Sequence, residues 1–193
     1  MADINKDGSG TGYQARVTED NRLDVSSRIN DRIYYKSKFE QSAFSNHFHF
    51  TQNVAGASEY MGYLSYTGNK ILILNQLFVC AEDAGMTIIS LSLDATYTSG
   101  GAELTSIILD RRSANSLNIT SYHQNDVTGT PLVISDTGTH WFCVRTDGPS
   151  TIVLDFHDSL IMGKENNILI GCANENAASK TRVTLFYYED SID

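Results

Sequence analysis

The chain has 193 residues, 19% of them charged, with a formal net charge of −9 and three cysteines. That length suits a single domain with a core of its own. The acidity argues against a nucleic-acid binder, which needs a basic footprint. The scarcity of proline and helix formers, beside abundant Thr, Tyr, Ile, Val and Asn, points to an all-β fold.

The start, Met1 to Lys6, is polar and has no apolar h-region, so it does not read as a signal peptide. No run approaches the roughly eighteen apolar residues of a membrane span. Gly8 to Arg28 follows, a Gly- and Ser-rich lead into two short alternating segments, Tyr13 to Thr18 and Arg22 to Ser26. Between them Glu19-Asp20-Asn21 is a polar turn cluster. Val17, Leu23 and Val25 would gain about 1.5–3 kcal/mol each on full burial. Ordering costs roughly 1–2 kcal/mol per residue over the whole arm. Residues 1–28 are therefore expected to form an arm or hairpin ordered by docking, and 29–193 a single β-sandwich.

In the body, Arg32 to Lys36 reads as a short strand or an extended connection. Ser45 to Thr51 alternates, with Phe48 and Phe50 on one face and His47 and His49 on the other. Tyr60 to Tyr66 is a strand, and Ile71 to Cys80 a buried one that Glu82-Asp83-Ala84-Gly85 is expected to end. Met86 to Tyr97 is a long strand with Ile89, Leu91, Leu93 and Ala95 inward, closed by a turn at Thr98 to Gly101. Leu104–Leu109, Leu117–Tyr122 and Pro131–Ser135 are further strands. Thr139 to Thr146 carries Trp141, and Asp147-Gly148-Pro149-Ser150 is expected to turn the chain into Thr151 to Phe156. Leu160 to Gly171 reads as strand, polar turn, strand, and Thr181 to Tyr188 as the last strand, with Val183, Leu185 and Tyr187 alternating. Ten to twelve short strands predict a two-sheet, jelly-roll-like sandwich, whose wiring periodicity alone does not give.

Cys80, Cys143 and Cys172 are widely spaced in apolar runs and are expected to be free, buried thiols. Asp3, Asn5 and Asp7 with Gly8 match the start of a calcium loop, but Gln14 stands where the closing carboxylate would be. His47 and His49 share a face at a metal-compatible spacing without a visible third ligand. No nucleophile elbow or Cys-His pair is present. Asp155 and Asp158 are carboxylates of the right type for glycoside hydrolysis, but Asp155 alternates with apolar residues as an outer-face residue does. No enzyme activity, metal or cofactor is expected. Tyr34-Tyr35 and Tyr187-Tyr188 each place one ring on either side of a strand, so one ring of each pair is expected outside the core as an interface aromatic.

After its Gly-rich start, the arm reads A-x-V-T-x-x-N-x-L-x-V-x-x-R, on Ala15, Val17, Thr18, Asn21, Leu23, Val25 and Arg28. This resembles small virion structural proteins of tailed bacteriophages, over about a tenth of the chain. Proteins of that group carry such a stretch before a β-sandwich and serve as capsid decoration (cement), head-fibre or neck-associated proteins. The resemblance implies a non-enzymatic protein that binds the major capsid protein on the outside of the head as a homotrimer. Neither nucleic acid nor membrane is an expected partner, and the particle would assemble in the host cytoplasm. Tyr13, Arg16, Val17, Leu23, Val25 and Arg28 would be the arm's contacts. The alternatives are a receptor- or carbohydrate-binding module, using loops Thr98–Glu103 and Gln124–Thr130, or a neck or tail adaptor.

Overall fold

Two polar stretches that read as turns, 82–85 and 147–150, lie opposite one another inside two long strands. The computed structural model describes residues 4–6, 14–17, 23–24, 36–110, 112–115, 117–124, 130–163 and 166–190. The chain divides into two compact units, residues 1–31 and 32–193.

In the first unit, β1 (Ile4–Lys6), β2 (Gln14–Val17) and β3 (Leu23–Asp24) form an antiparallel sheet in that order. Asn5 pairs with Ala15, Arg16 with Asp24 and Val17 with Leu23. The backbone around Asn5 is thus extended strand, not the coil of a calcium loop.

Among its described residues the second unit is all-β apart from a five-residue π-helical turn, Lys36–Glu40. Its main strands are β4 (Ala43–Thr51), β5 (Glu59–Tyr66), β6 (Ile71–Leu93), β12 (Thr139–Met162), β13 (Asn167–Asn174) and β14 (Lys180–Asp190). The short strands are β7 (Thr96–Ser99), β8 (Ala102–Glu103), β9 (Ile107–Ile108), β10 (Ile119–His123) and β11 (Val133–Asp136). Residues 71–81 of β6 pair with β14, and residues 87–93 pair with β13. β12 runs antiparallel along the other side of β6 for its whole length.

The result is two sheets that share two strands. One runs β4, β14, the first part of β6, the second part of β12. The other runs β5, β13, the second part of β6, the first part of β12. Numbered along the chain from one to eight, these segments read 1-8-3-6 and 2-7-4-5, the order of a long hairpin rolled on itself, a jelly roll. β9 extends the first sheet past β4, and β10 and β8 extend the second past β5.

The expected breaks in β6 and β12 are corners. Gly148 pairs with Gly85 and Ser150 with Ala81, so residues 82–84 bulge opposite Pro149 alone. Gly85 has φ +107°, open to glycine without strain, and a Cβ at Gly148 would lie 2.3 Å from the Asp83 carbonyl oxygen. A bulge at such a point lets a strand bend from one sheet into the other while pairing resumes on both sides.

Between the sheets lies one core. Phe48, Phe50, Leu77, Val79, Val183 and Leu185 from one layer meet Met61, Leu64, Ile89, Leu91, Ile168 and Ile170 from the other. The closest approach is at Gly62, where a Cβ would sit 2.4 Å from the Phe48 ring. The alternation read from the sequence holds for β4 and β14 and, in the second part of β6, for Ile89 and Leu91. Leu93 is only half-buried, and Ala95, expected inward, lies past the strand's end in the outer-face cluster with Tyr63, Leu132 and Leu169. On the outer face, the ribbon of β7 and β11 packs through Tyr97 and Ile134 onto Tyr60, Tyr63, Leu132 and Leu169.

Candidate functional site

Of the expected arm contacts, Arg16 and Val17 lie on β2 and Leu23 on β3. Tyr13, Val25, Arg28, Tyr34, Tyr35, Asp3 and Asp7 lie outside the described residues. The reading of Tyr187 and Tyr188 requires correction. Both are 0% exposed, so neither ring is available to a partner. Tyr187 faces the core, and Tyr188 faces the outer side, where it packs with Ala43, Ile73 and Leu109. Leu109 comes from the segment that returns beside β4, its N–H donating to the Ala43 carbonyl, and a one-strand periodicity gives no sign of such a cover.

The thiols also differ from expectation. All three cysteines are free, yet Cys172 alone is buried, Cys80 is half-buried and Cys143 is exposed. Burial pushes the Cys172 thiol up to about 12. Cys143 sits on the outward face of β12, at the edge of its sheet, where nothing among the described residues covers it.

A polar clasp that the sequence reading missed joins the two layers at the β4 edge. Asn46 on β4 donates from Nδ2 to Ser121 Oγ on β10 at 2.9 Å, and Ser121 Oγ donates to the Leu104 carbonyl at 2.6 Å. Asn46 Oδ1 accepts from Ser106 Oγ at 2.8 Å and from the Tyr187 hydroxyl. Asn46, Ser121 and Tyr187 are all 0% exposed. An Asn on the inward side of an otherwise aromatic strand was the available signal. The satisfied buried network reads as structural, because each partner is consumed by another.

His47 and His49 stand on the outer face of β4, with His47 Nδ1 hydrogen-bonded to Thr184 Oγ1 at 2.9 Å. No group of three metal-ligating side chains occurs among the described residues. His49 Nε2 and His123 Nδ1 are both buried without a hydrogen-bond partner among those residues. Burial, reinforced by the His49 charge, lowers the His123 pKa; burial, then Arg182 and His49, lowers that of His47. A depressed histidine pKa means the unfolded chain binds more protons. Stability is therefore full above the unfolded value of about 6.5 and falls as pH drops through it. The urea midpoint should fall between pH 7.5 and 5.5, and H47Q/H123Q should flatten that fall. An unchanged slope in the double variant would remove these two residues as its cause.

A polar hollow of about 420 Å³, open to solvent, is lined by Glu40, Gln41, Ser42, Phe44, Lys70, Ala114, Asn115 and Glu189. Its carboxylates are already engaged. Glu40 pairs with Lys36 at 2.5 Å, while Glu189 accepts from the Tyr66 hydroxyl at 2.8 Å and lies 3.8 Å from Lys70. Lys36 also pairs with Asp190 at 2.8 Å, so this end of β14 is tied to the π-helical turn. There is no activated nucleophile with a base beside it among these described residues, and the arrangement serves structure. Asp155, the carboxylate weighed for glycoside hydrolysis, is exposed and accepts from the His157 N–H at 2.8 Å.

The least satisfied surface is β12. It pairs with β6 on one side, and on its other side with no strand among the described residues. Val153 and Ile161 are 50% and 56% exposed on its outward face, and Trp141, the extra residue at the register shift between His140 and Phe142, is 38% exposed. Its inward residues Phe142, Val144, Leu154 and Phe156 reach the core but are only half-buried. Trp141, Phe142 and Phe156 form an aromatic group, with centroids 5.7 to 6.1 Å apart, that spans the two sheets at this edge. Among the described residues the jelly roll is clasped at its β4 edge and open at its β12 edge.

No family model matches the chain, and no curated protein does. Among solved structures, a chain of infectious bursal disease virus, Gx strain, aligns with a TM-score of 0.19 and 7% identity, over 77% of this chain and 40% of that one. A likeness of that size carries no argument about fold or function.

Proposed function

We propose that this is a non-enzymatic structural protein of a tailed-phage virion that binds and stabilises the exterior of the capsid as a homotrimer. The observation that carries the reading is the arm motif, Ala15 to Arg28, placed ahead of an all-β jelly roll. The mechanism is linkage. Copies that bind the assembled lattice but not free capsid subunits shift the equilibrium toward the assembled shell. The arm contributes by strand addition or by strapping a subunit boundary, with Arg16, Val17 and Leu23 among its contacts.

A carbohydrate-binding reading has less support. Tyr97, beside the Thr98–Glu103 loop, stacks with both Tyr63 and Tyr122, with centroids at 5.2 and 4.5 Å. Its stacking capacity is engaged within the chain, so it offers sugar stacking less than an unstacked ring would.

Deleting residues 1–28 is expected to leave the sandwich folded and to weaken binding to undecorated capsids at least about tenfold, or ~1.4 kcal/mol. Co-sedimentation of full-length and truncated protein with capsids reads this directly. Undiminished affinity of the truncated protein would remove the arm from the mechanism, and no capsid binding by either form would remove the reading itself.

A further inference from the structure

We infer that the edge of β12 that no strand among the described residues pairs with is a self-association surface, on which a second copy of this chain pairs antiparallel about a two-fold axis centred on Thr146. An exposed strand edge offers a row of backbone donors and acceptors to any other strand, and single chains commonly blunt such edges with lysines, prolines, bulges or short length. β12 is 24 residues long and contains no lysine. Its register with β6 shifts at three places, His140/Phe142, the corner Gly148/Ser150 beside Pro149, and Asp155/Leu160, leaving residues 142–148 as the regular stretch between the first two. In this stretch the edge is regular enough to extend the sheet.

Charge selects the occupant and the register. Arg145 and Asp147 lie two apart on the same outward face, with side chains 63% and 76% exposed. Within one chain their contact is long, at 3.4 Å, and solvent-screened, so it contributes little. Pairing about Thr146 sets Arg145 of each copy opposite Asp147 of the other, giving two symmetric cross-strand pairs. Moving the axis by one residue in either direction sets Arg opposite Arg or Asp opposite Asp. A chain of net charge −9 repels its own copies in general, so a locally self-complementary segment is what permits this contact. The same pairing places Val144 opposite Gly148, so residues 144–148 of each copy, which lie within the regular stretch, form the paired segment.

The pairing is independent of the capsid reading, and it doubles whatever unit it acts on, a single chain or a trimer. The test is sedimentation velocity over a concentration series in low salt and reductant, with full-length protein. Wild type is expected to show a mass that doubles with concentration. R145D and D147R, each with two like charges facing two like charges, should each lose the doubling by at least a tenfold shift in its midpoint. Mixing R145D with D147R should regain it, because the charges then meet as Asp–Arg and Arg–Asp, and R145D/D147R alone should regain it too. Both sites are exposed, and matched circular dichroism and urea midpoints would show the folds intact. Absence of doubling in wild type, doubling in the single variants equal to wild type, or failure of the mixture to recover would each overturn the proposal.

Discussion

Replacing Asn46 with leucine is expected to lower the free energy of unfolding by about 2–4 kcal/mol, although leucine keeps asparagine's branching and number of side-chain heavy atoms. Asn46 is 0% exposed and joins the layers through bonds to Ser121, Ser106 and Tyr187. A buried hydroxyl that loses its partner costs roughly 1–3 kcal/mol. The network retains two bonds without Asn46: Ser121 to the Leu104 carbonyl, and Tyr187 to Ser106 at 2.9 Å. That keeps the loss below the sum of three orphaned groups. Tyr187→Phe removes one hydroxyl while Asn46 keeps Ser106, and should cost about 1 kcal/mol. Urea denaturation reads both as shifts in midpoint at constant slope. A loss below about 1 kcal/mol in Asn46→Leu would mean that packing, not the clasp, holds the layers at this edge.

The second large effect concerns the face-to-face contact of β4 with β5. Phe48→Ala should cost about 3–5 kcal/mol, as deletion of a buried aromatic ring does. Gly62→Ala should cost about 1–3 kcal/mol, because the new methyl meets the Phe48 ring 2.4 Å away and the ring is fully buried. The two changes are not independent. In the double variant the methyl added at position 62 occupies part of the space the ring vacates, so the combined loss should fall short of the sum by at least about 1 kcal/mol. Additive losses would show that Gly62 and Phe48 do not touch across the layers, and would put the sandwich geometry itself in question.

Much of the body was legible in the sequence because period-2 burial is a local property. Phe48 and Phe50, Ile89 and Leu91, and Val183, Leu185 and Tyr187 all face the core as their alternation requires. The corners were not legible. Glu82 to Gly85 and Asp147 to Ser150 have the composition of turns, and only their pairing with each other shows that they bend strands without ending them. The tyrosine pair misled for a related reason. Alternation places Tyr188 on the outer face correctly, but it says nothing about Ile73 and Leu109 lying over it.

The amino-acid sequence by itself determined that this chain is all-β, that its strands have one apolar face each, and that short strands precede the body. These follow from side-chain period, turn chemistry and composition, which act over a few residues at a time. Tertiary structure alone decided which strands are neighbours and therefore where polar and apolar groups end up. It rolled the hairpin into sheets of order 1-8-3-6 and 2-7-4-5, brought Asn46 within reach of Ser121 some 75 residues away, and left β12 without a neighbour on its outer side among the described residues. Those outcomes depend on contacts between residues far apart in the chain, and no local pattern encodes them.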